Sequence, residues 1–178
     1  MKDELPRGVN LIERTYLLPS VVYHSEVVPA RAQGRTAWFQ SLQRSAIGSD
    51  IIFLDPDNGL EVKSCPYGRK NSCKYLYWEE VQAIWAAGSS MLIYQHFIRE
   101  KRPQFIQRML QTLHAHTPSA FVEAFSTANV LFLMALQPWH HNHHGSIVGV
   151  VQKRWGPQYA LWRAGAAPHG AARQRLHQ

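Results

Sequence analysis

Carboxylate and amide side chains follow directly on the apolar run Ile51–Leu54. Asp55, Asp57 and Asn58 come next, and Gly59 follows them. Four apolar residues that run into such side chains are typical of a buried strand that ends at a polar edge of a sheet. Carboxylates at that position can ligate Mg²⁺, or accept protons or hydrogen bonds from a substrate amine. The same residue types also favour tight turns, so a purely structural interpretation of the segment stays open.

The next predicted strand also has a polar end, which contains His96. The imidazole of His96 could shuttle a proton. The carboxyl ends of neighbouring parallel strands meet at one edge of a sheet, so we expect Asp55 and His96 to face one crevice. Ser126 or Thr127 would lie at a third strand end of this kind. The loops that leave the first two strands carry basic residues suited to holding an anionic substrate, namely Lys63, Arg69, Lys70, Lys74, Arg99, Lys101 and Arg102.

The segment Trp139–Gly145 contains four histidines, at 140, 141, 143 and 144. Imidazoles bind transition metals, which makes His141 and His143 candidate ligands, although a polar loop between two elements explains the segment equally. Cys65 and Cys73 are the chain's two cysteines, and we expect them to be free thiols. A disulfide or a metal site is the alternative for this pair.

Hydrophobic periodicity and Pro or Gly breaks predict the elements that would position these side chains. The predicted helices cover 8–18, 34–47, 77–87, 103–113 and 147–155, and the predicted strands cover 21–28, 50–55, 91–97, 121–125, 130–136 and 159–162. The alternation of strands and helices predicts a Rossmann-like α/β three-layer sandwich. Its sheet would be largely parallel and would end in an antiparallel hairpin. We expect one domain over 1–162, followed by a basic, flexible tail over 163–178.

The charge of the chain points to an anionic partner. The formal net charge is +7, and 13 arginines outnumber 6 lysines. Arginine favours contacts with phosphate, so nucleic acid is the partner that this balance favours, and a basic protein without such a partner is the alternative. No apolar run approaches the roughly 20 residues that cross a bilayer. The first residues have no apolar stretch typical of a signal peptide. We therefore expect a cytoplasmic protein with no membrane contact.

The order of strand, Asp-Pro-Asp-Asn, helix, strand, helix and hairpin resembles the later half of class I S-adenosylmethionine-dependent methyltransferases. Amino-methylating members carry Asp-Pro-Pro-Tyr or Asn-Pro-Pro-Tyr at this strand end. Asp55 and Pro56 match that motif, whereas Asp57 and Asn58 replace the second proline and the aromatic residue. The chain has no G-x-G cofactor loop. The resemblance spans residues 50–160 and implies a Rossmann-like domain, degenerate or truncated, that acts on nucleic acid or nucleotides with S-adenosylmethionine as a possible cofactor.

Two other motifs suggest phosphoester hydrolysis. The segment from Asp55 is similar to the Asp-x-Asp-x-Thr strand end of haloacid-dehalogenase-type phosphatases. That resemblance implies Asp55 as nucleophile, Asp57 as acid–base and Mg²⁺ as cofactor. The run Glu61–Lys63 resembles the E-x-K half of the restriction-nuclease motif, for which Asp50 could supply the second acid.

The segments 55–61, 74–79 and 94–97 also resemble parts of uncharacterised bacterial and phage proteins, a resemblance that implies no function. Three classes of function thus stay open from the sequence. They are a methyltransferase-like domain, a Mg²⁺-dependent hydrolase or nuclease, and a non-catalytic basic module that binds nucleic acid or protein.

Overall fold

The structure of the protein is a computed structural model, and it describes residues 20–165 together with Glu13 and Leu18. Elements are numbered in chain order within these residues. The helices are α1 (Ala32–Ser45), α2 (Trp78–Ala86), α3 (Arg102–His116) and α4 (His144–Trp155), and short 3₁₀ turns occupy Ser72–Lys74, Pro138–His143 and Gly156–Gln158. The strands are β1 (Ile51–Leu54), β2 (Ser90–His96), β3 (Phe121–Ser126), β4 (Val130–Leu136) and β5 (Ala160–Arg163).

The five strands form one open mixed sheet in the order β1-β2-β4-β3-β5. β1 and β2 are parallel, and the other three neighbouring pairs are antiparallel. The predicted hairpin β3–β4 is therefore confirmed, whereas the prediction of a largely parallel sheet is wrong. Only residues 127–129 join β3 to β4, and a parallel connection needs a dozen residues or more. β4 consequently runs antiparallel to β3, and β4 is the strand of the hairpin that lies beside β2.

Three strands nevertheless run in the same direction. β4 is antiparallel to both β2 and β3, so β3 points the same way as β2 and β1. The carboxyl ends of these three strands therefore lie at one edge of the sheet, which we call the carboxyl edge. The opposite edge, where the same strands begin, is the amino edge.

Helices pack on both faces of the sheet. The main core combines the inward faces of α2 and α3 with Met91 and Ile93 of β2, and Phe39 and Leu42 of α1 pack against it. A smaller cluster on the other face joins Ile147, Val148 and Val151 of α4 to the strands, including Met134 of β4. Within the described part of the chain, no helix is long and apolar enough to cross a membrane.

A buried arginine ties the two helices next to the carboxyl edge to the loop between them. Arg35 of α1 is 2% exposed, and its guanidinium donates to both carboxylate oxygens of Glu80 on α2, at 2.7 and 2.8 Å. It also donates to the backbone oxygens of Ser72 and Tyr75. Glu80 in turn accepts the backbone N–H of Tyr77, which satisfies one of the free donors at the start of α2. The aromatic ring of Tyr77 lies 4.9 Å from the guanidinium carbon.

Most of the predicted elements between 32 and 163 are present, with ends shifted by a few residues. The predicted strand 21–28 is wrong, because these residues have no regular structure and no neighbouring strand. Val27 there is 90% exposed, and the segment is held to α1 through the Trp38 indole N–H and the Glu26 backbone oxygen. The predicted helix 8–18 lies almost wholly outside the described residues. So does the predicted tail, except that Arg163 belongs to β5.

Removal of the buried cation should cost far more stability than removal of an exposed one. We expect Arg35→Met to lower the free energy of unfolding by about 3–5 kcal/mol, since it leaves the Glu80 carboxylate buried without its partner. The matched control is Arg108→Met, which breaks a partly exposed pair with Glu100 and should cost about 1 kcal/mol or less. Urea unfolding measures both, and equal losses would contradict the role given to Arg35.

Candidate functional site at the carboxyl edge

The chain makes a tight turn immediately after β1. The backbone N–H of Gly59 donates to the Pro56 oxygen at 3.1 Å, which closes a turn over Pro56–Gly59. Gly59 has a φ of +86°, and a Cβ at this position would collide with the amide group of Gln95. A residue with a side chain is therefore excluded here both by backbone conformation and by space. The turn presents the side chains of Asp57 and Asn58 to solvent.

The buried Gln95 of β2 holds this turn against the sheet. Its Oε1 accepts the backbone N–H of Leu60 at 2.7 Å, and its Nε2 donates to the backbone oxygen of His96. The returning loop adds a second support, because the N–H of Leu76 donates to the Gly59 oxygen and the N–H of Glu61 donates to the Leu76 oxygen. The segment after Asp55 is thus fixed from two sides.

Asp55 directly follows β1, His96 is the last residue of its parallel neighbour β2, and Asp57 lies in the turn after Asp55. Partial burial raises the pKa of Asp55 above its ordinary value of 3.8, the charge of His96 lowers it, and the charge of Asp57 raises it. His96 and Asp57 therefore act on the Asp55 carboxyl electrostatically. A carboxyl group with a raised pKa beside an imidazole can exchange a proton with a bound substrate.

The ring of Tyr94 supports His96 from one side. The two rings meet edge to face with 4.9 Å between their centroids. Side chains alternate along a strand, so Tyr94 and His96 share the face opposite Gln95. The parallel register pairs Leu54 with Ile93, and one residue further it sets Asp55 opposite Tyr94. Tyr94 therefore belongs to the site.

The basic residues predicted to hold an anion lie in the two segments that follow β1 and β2, and Arg102 is the first residue of α3. Those named for substrate binding are exposed in every case, namely Lys63, Arg69, Lys70, Lys74, Arg99 and Arg102. None of the six makes an ion pair with a carboxylate within the described residues. Their positive charges are thus available to a ligand. Arg102 also lies over the ring of Phe97, with 4.9 Å from its guanidinium carbon to the ring centroid.

The residues at the end of β3 have structural roles. The Ser126 hydroxyl is buried and accepts the indole N–H of Trp162 at 2.7 Å. The Thr127 hydroxyl accepts the backbone N–H groups of Asn129 and Val130, and so caps the hairpin. Neither side chain is free for catalysis.

The histidine segment forms a 3₁₀ turn and the start of α4. His141 stacks on His144 with 6.0 Å between ring centroids, and the His144 Nε2 contacts the Glu123 carboxylate at 2.6 Å. Arg163 pairs with the other oxygen of Glu123. Across residues 20–165, no group of three or more His, Cys, Asp or Glu side chains is placed to hold a metal ion. A metal at His141 and His143, or at Asp55 and Asp57, would need further ligands from water or substrate. Cys65 and Cys73 are free thiols, as expected.

The nuclease-type pair of acids is not brought together. Asp50 precedes β1 at the amino edge, whereas Glu61 follows the turn at the carboxyl edge. Four strand residues at about 3.3 Å each separate the two ends. Burial raises the pKa of Glu61, and the backbone N–H of Trp78 that it accepts lowers it. Glu61 therefore helps to begin α2 and does not share a metal site with Asp50.

Gln95 and Tyr94 are the site residues that the sequence did not reveal in advance. Gln95 occupies the position after Met91 and Ile93 in the period-2 pattern of buried β2 residues. A glutamine at that position signals a buried hydrogen bond, because an unpaired buried amide is costly. Tyr94 carries no such signal, since an aromatic residue in a strand is ordinary packing.

Comparisons with protein-family models, with curated proteins and with solved structures return no match to the chain. The function is therefore argued from the geometry of the site alone.

Titration of Asp55 tests whether the three groups act on one another. We expect its midpoint, followed by carboxyl-carbon NMR, to lie above the ordinary 3.8. His96→Gln should raise it further, because an attractive charge is removed, and Asp57→Asn should lower it. Because the folded protein holds this proton more tightly than the unfolded chain, the contribution of Asp55 to stability falls as the pH rises through its pKa. Shifts in the same direction in both variants would show that the groups are not neighbours.

Proposed function

We propose that the protein acts on nucleic acid or nucleotides at the carboxyl edge of β1 and β2. The observation that carries the proposal is that Asp55 and His96 lie at the ends of neighbouring parallel strands, between two loops of exposed basic side chains. Open sheets with parallel strands bind ligands in this position. The basic loops would bind phosphate groups while Asp55 and His96 transfer protons.

We further propose that the domain is Rossmann-like and methyltransferase-like in a degenerate form. The order from β1 through Asp-Pro-Asp-Asn to the β3–β4 hairpin supports this, as do three strands with a common direction. Asn58 has no aromatic ring on which a flipped base could stack. The chain also has no glycine loop to bind a methyl donor. Both departures favour substrate binding without methyl transfer.

Mg²⁺-dependent phosphoester hydrolysis is the second candidate. The observation that favours it is the pair of carboxylates, Asp55 and Asp57, where the chain turns after β1. Burial and the charge of Asp57 raise the pKa of Asp55, and the charge of His96 lowers it. Two carboxylates that repel each other are relieved by a divalent cation, and Mg²⁺ is commonly held by one or two carboxylates together with substrate phosphates. The metal would orient a phosphate and polarise it, and His96 would be placed to accept or donate the proton.

Nucleic-acid binding should depend on the basic loop and on salt. We expect a fluorescent oligonucleotide to bind wild type with an affinity that falls steeply as salt is raised, measured by anisotropy. The triple variant Lys63→Ala, Arg69→Ala, Lys70→Ala should bind with a weaker salt dependence. The slope of log affinity against log salt concentration should become less steep by roughly 0.7–0.9 for each phosphate that the protein no longer neutralises. The matched control removes two exposed cations of α4, Lys153→Ala and Arg154→Ala, and should keep the wild-type slope. An equal change in both would refute a specific role for the loop.

Calorimetry with Mn²⁺ and with S-adenosylmethionine separates the two chemistries. Hydrolysis predicts Mn²⁺ binding that is abolished in Asp55→Asn and kept in Asp50→Asn, because Asp50 lies at the other edge. Binding of S-adenosylmethionine without Mn²⁺ would instead favour methyl transfer. Nucleic-acid binding with neither ligand would identify a non-catalytic interaction module.

A further inference from the structure

Two adjoining cavities lie at the amino edge, away from the proposed catalytic side chains. The larger has a volume of about 270 Å³ and runs between the end of α1 and the starts of β1 and β2. The smaller, of about 220 Å³, continues toward the start of α4. Asp50 and His140 line both. Volumes near the lower limit of about 300 Å³ for small-molecule sites restrict any ligand to a compact one.

A buried hydrogen-bond network fixes the orientation of the His140 ring. Ser90, which is 1% exposed, accepts the backbone N–H of Gln137 at 2.9 Å through its hydroxyl oxygen. Its own hydroxyl proton can then be donated to His140 Nδ1, which lies 2.8 Å away. The Gln137 amide is itself held by the backbone oxygens of Trp85 and Ser89. With Nδ1 as the acceptor of this hydroxyl proton, the proton of the neutral ring resides on Nε2.

His140 Nε2 and the Asp50 carboxylate are neighbours, but they do not form a hydrogen bond with each other. Their separation is 3.6 Å, too long for a hydrogen bond. The Asp50 side chain is 91% exposed. A donor, Nε2–H, and an acceptor, the carboxylate, are thus presented side by side where the two cavities meet.

Serine, histidine and aspartate also form hydrolytic triads, but Ser90, His140 and Asp50 cannot serve as one. A nucleophilic serine must reach a substrate, and the Ser90 hydroxyl is buried and already makes two hydrogen bonds. Its role is to position the imidazole. A ligand would therefore be recognised by hydrogen bonds to the His140 Nε2–H and to the Asp50 carboxylate.

The walls of the larger cavity suit a flat, largely apolar ligand. Six of its fourteen lining residues are aliphatic, namely Leu42, Ala46, Ile47, Ile52, Ile84 and Ala87. Trp139 closes one side, with 61% of its surface exposed and its indole beside Gly88. An exposed tryptophan next to a polar donor–acceptor pair can stack on an aromatic ring.

We propose that the amino edge binds a small planar heteroaromatic compound that carries an amino group beside a ring-nitrogen acceptor. The amino group donates to Asp50, the ring nitrogen accepts from His140 Nε2–H, and Trp139 stacks on the ring. Adenine presents this pattern through its N6 amine and N7. The site is distinct from the carboxyl edge and does not depend on the function proposed there.

Calorimetry with adenine tests the proposal directly. We expect saturable binding by wild type, and binding weakened at least about tenfold for purine, which lacks the amine and so cannot donate a hydrogen bond to the charged carboxylate. Asp50→Asn should weaken adenine binding to a similar extent. The fold should tolerate this change because the Asp50 side chain is exposed. Glu79→Gln, a matched removal of an exposed carboxylate, should keep the wild-type affinity.

A second measurement concerns the positioning role of Ser90. Long-range ¹H–¹⁵N NMR of the imidazoles, with the His140 signals identified from a His140→Gln sample, should show the proton on Nε2 in wild type. Ser90→Ala should shift the ring toward a mixture of tautomers and weaken adenine binding, with little change in far-UV circular dichroism. A proton on Nδ1 in wild type would contradict the network.

Three binding results would overturn the proposal. They are no saturable heat with adenine, equal affinity for adenine and purine, or a loss of binding in Asp55→Asn but not in Asp50→Asn. The last result would place the adenine at the carboxyl edge.

Discussion

The guanidinium of Arg35 connects the parts of the molecule that no regular sheet pairing joins. It satisfies both Glu80 oxygens and two backbone carbonyls of the long loop, so α1, α2 and that loop are fixed relative to one another. Because a buried charge without partners costs several kcal/mol, the loop cannot leave this position cheaply. The loop then pairs with Gly59–Glu61 through Leu76. The location of the Asp55 turn therefore depends on an arginine in a different element.

The parallel pair β1–β2 has a different polar structure at each end. At the carboxyl edge, Gln95 faces the core and fixes the turn, while its neighbour His96 faces outward toward Asp55. At the amino edge, Ser90 is buried and holds His140 beside Asp50. The buried Ser90 hydroxyl contacts the His140 ring directly, whereas the buried Gln95 amide holds the backbone of the turn and of His96. This arrangement resembles the way in which outer residues orient the groups of designed and natural sites.

The sequence predicted the local features well and the long-range ones poorly. Apolar periodicity located the helices and strands between 32 and 163, which include the parallel neighbours β1 and β2 at whose ends Asp55 and His96 lie. The antiparallel pairings β2–β4 and β3–β5 were missed, because strand periodicity alone does not show which strands become neighbours. The run 21–28 has strand-like residues without a partner strand. Arg35, Glu80 and the His140 network were missed because partners at least 40 residues apart leave no local pattern.

Because the two edges are far apart, substitutions at one edge should have little effect on the other. β1 has four residues, which at about 3.3 Å each set its ends roughly 13 Å apart. Effects of substitutions more than about 7–10 Å apart, without shared partners, usually add. Asp50 and Asp55 meet that condition, since Asp50 contacts His140 while Asp55 interacts with His96 and Asp57. A ligand at the amino edge could influence the carboxyl edge through β1 and β2, or through α1 and α2, which contribute Leu42 and Ile84 to the cavity and Arg35 and Glu80 to the ion pair at their other ends. The backbones of β1 and β2 are held in register by parallel pairing, so communication through these strands would require a shift of a whole strand.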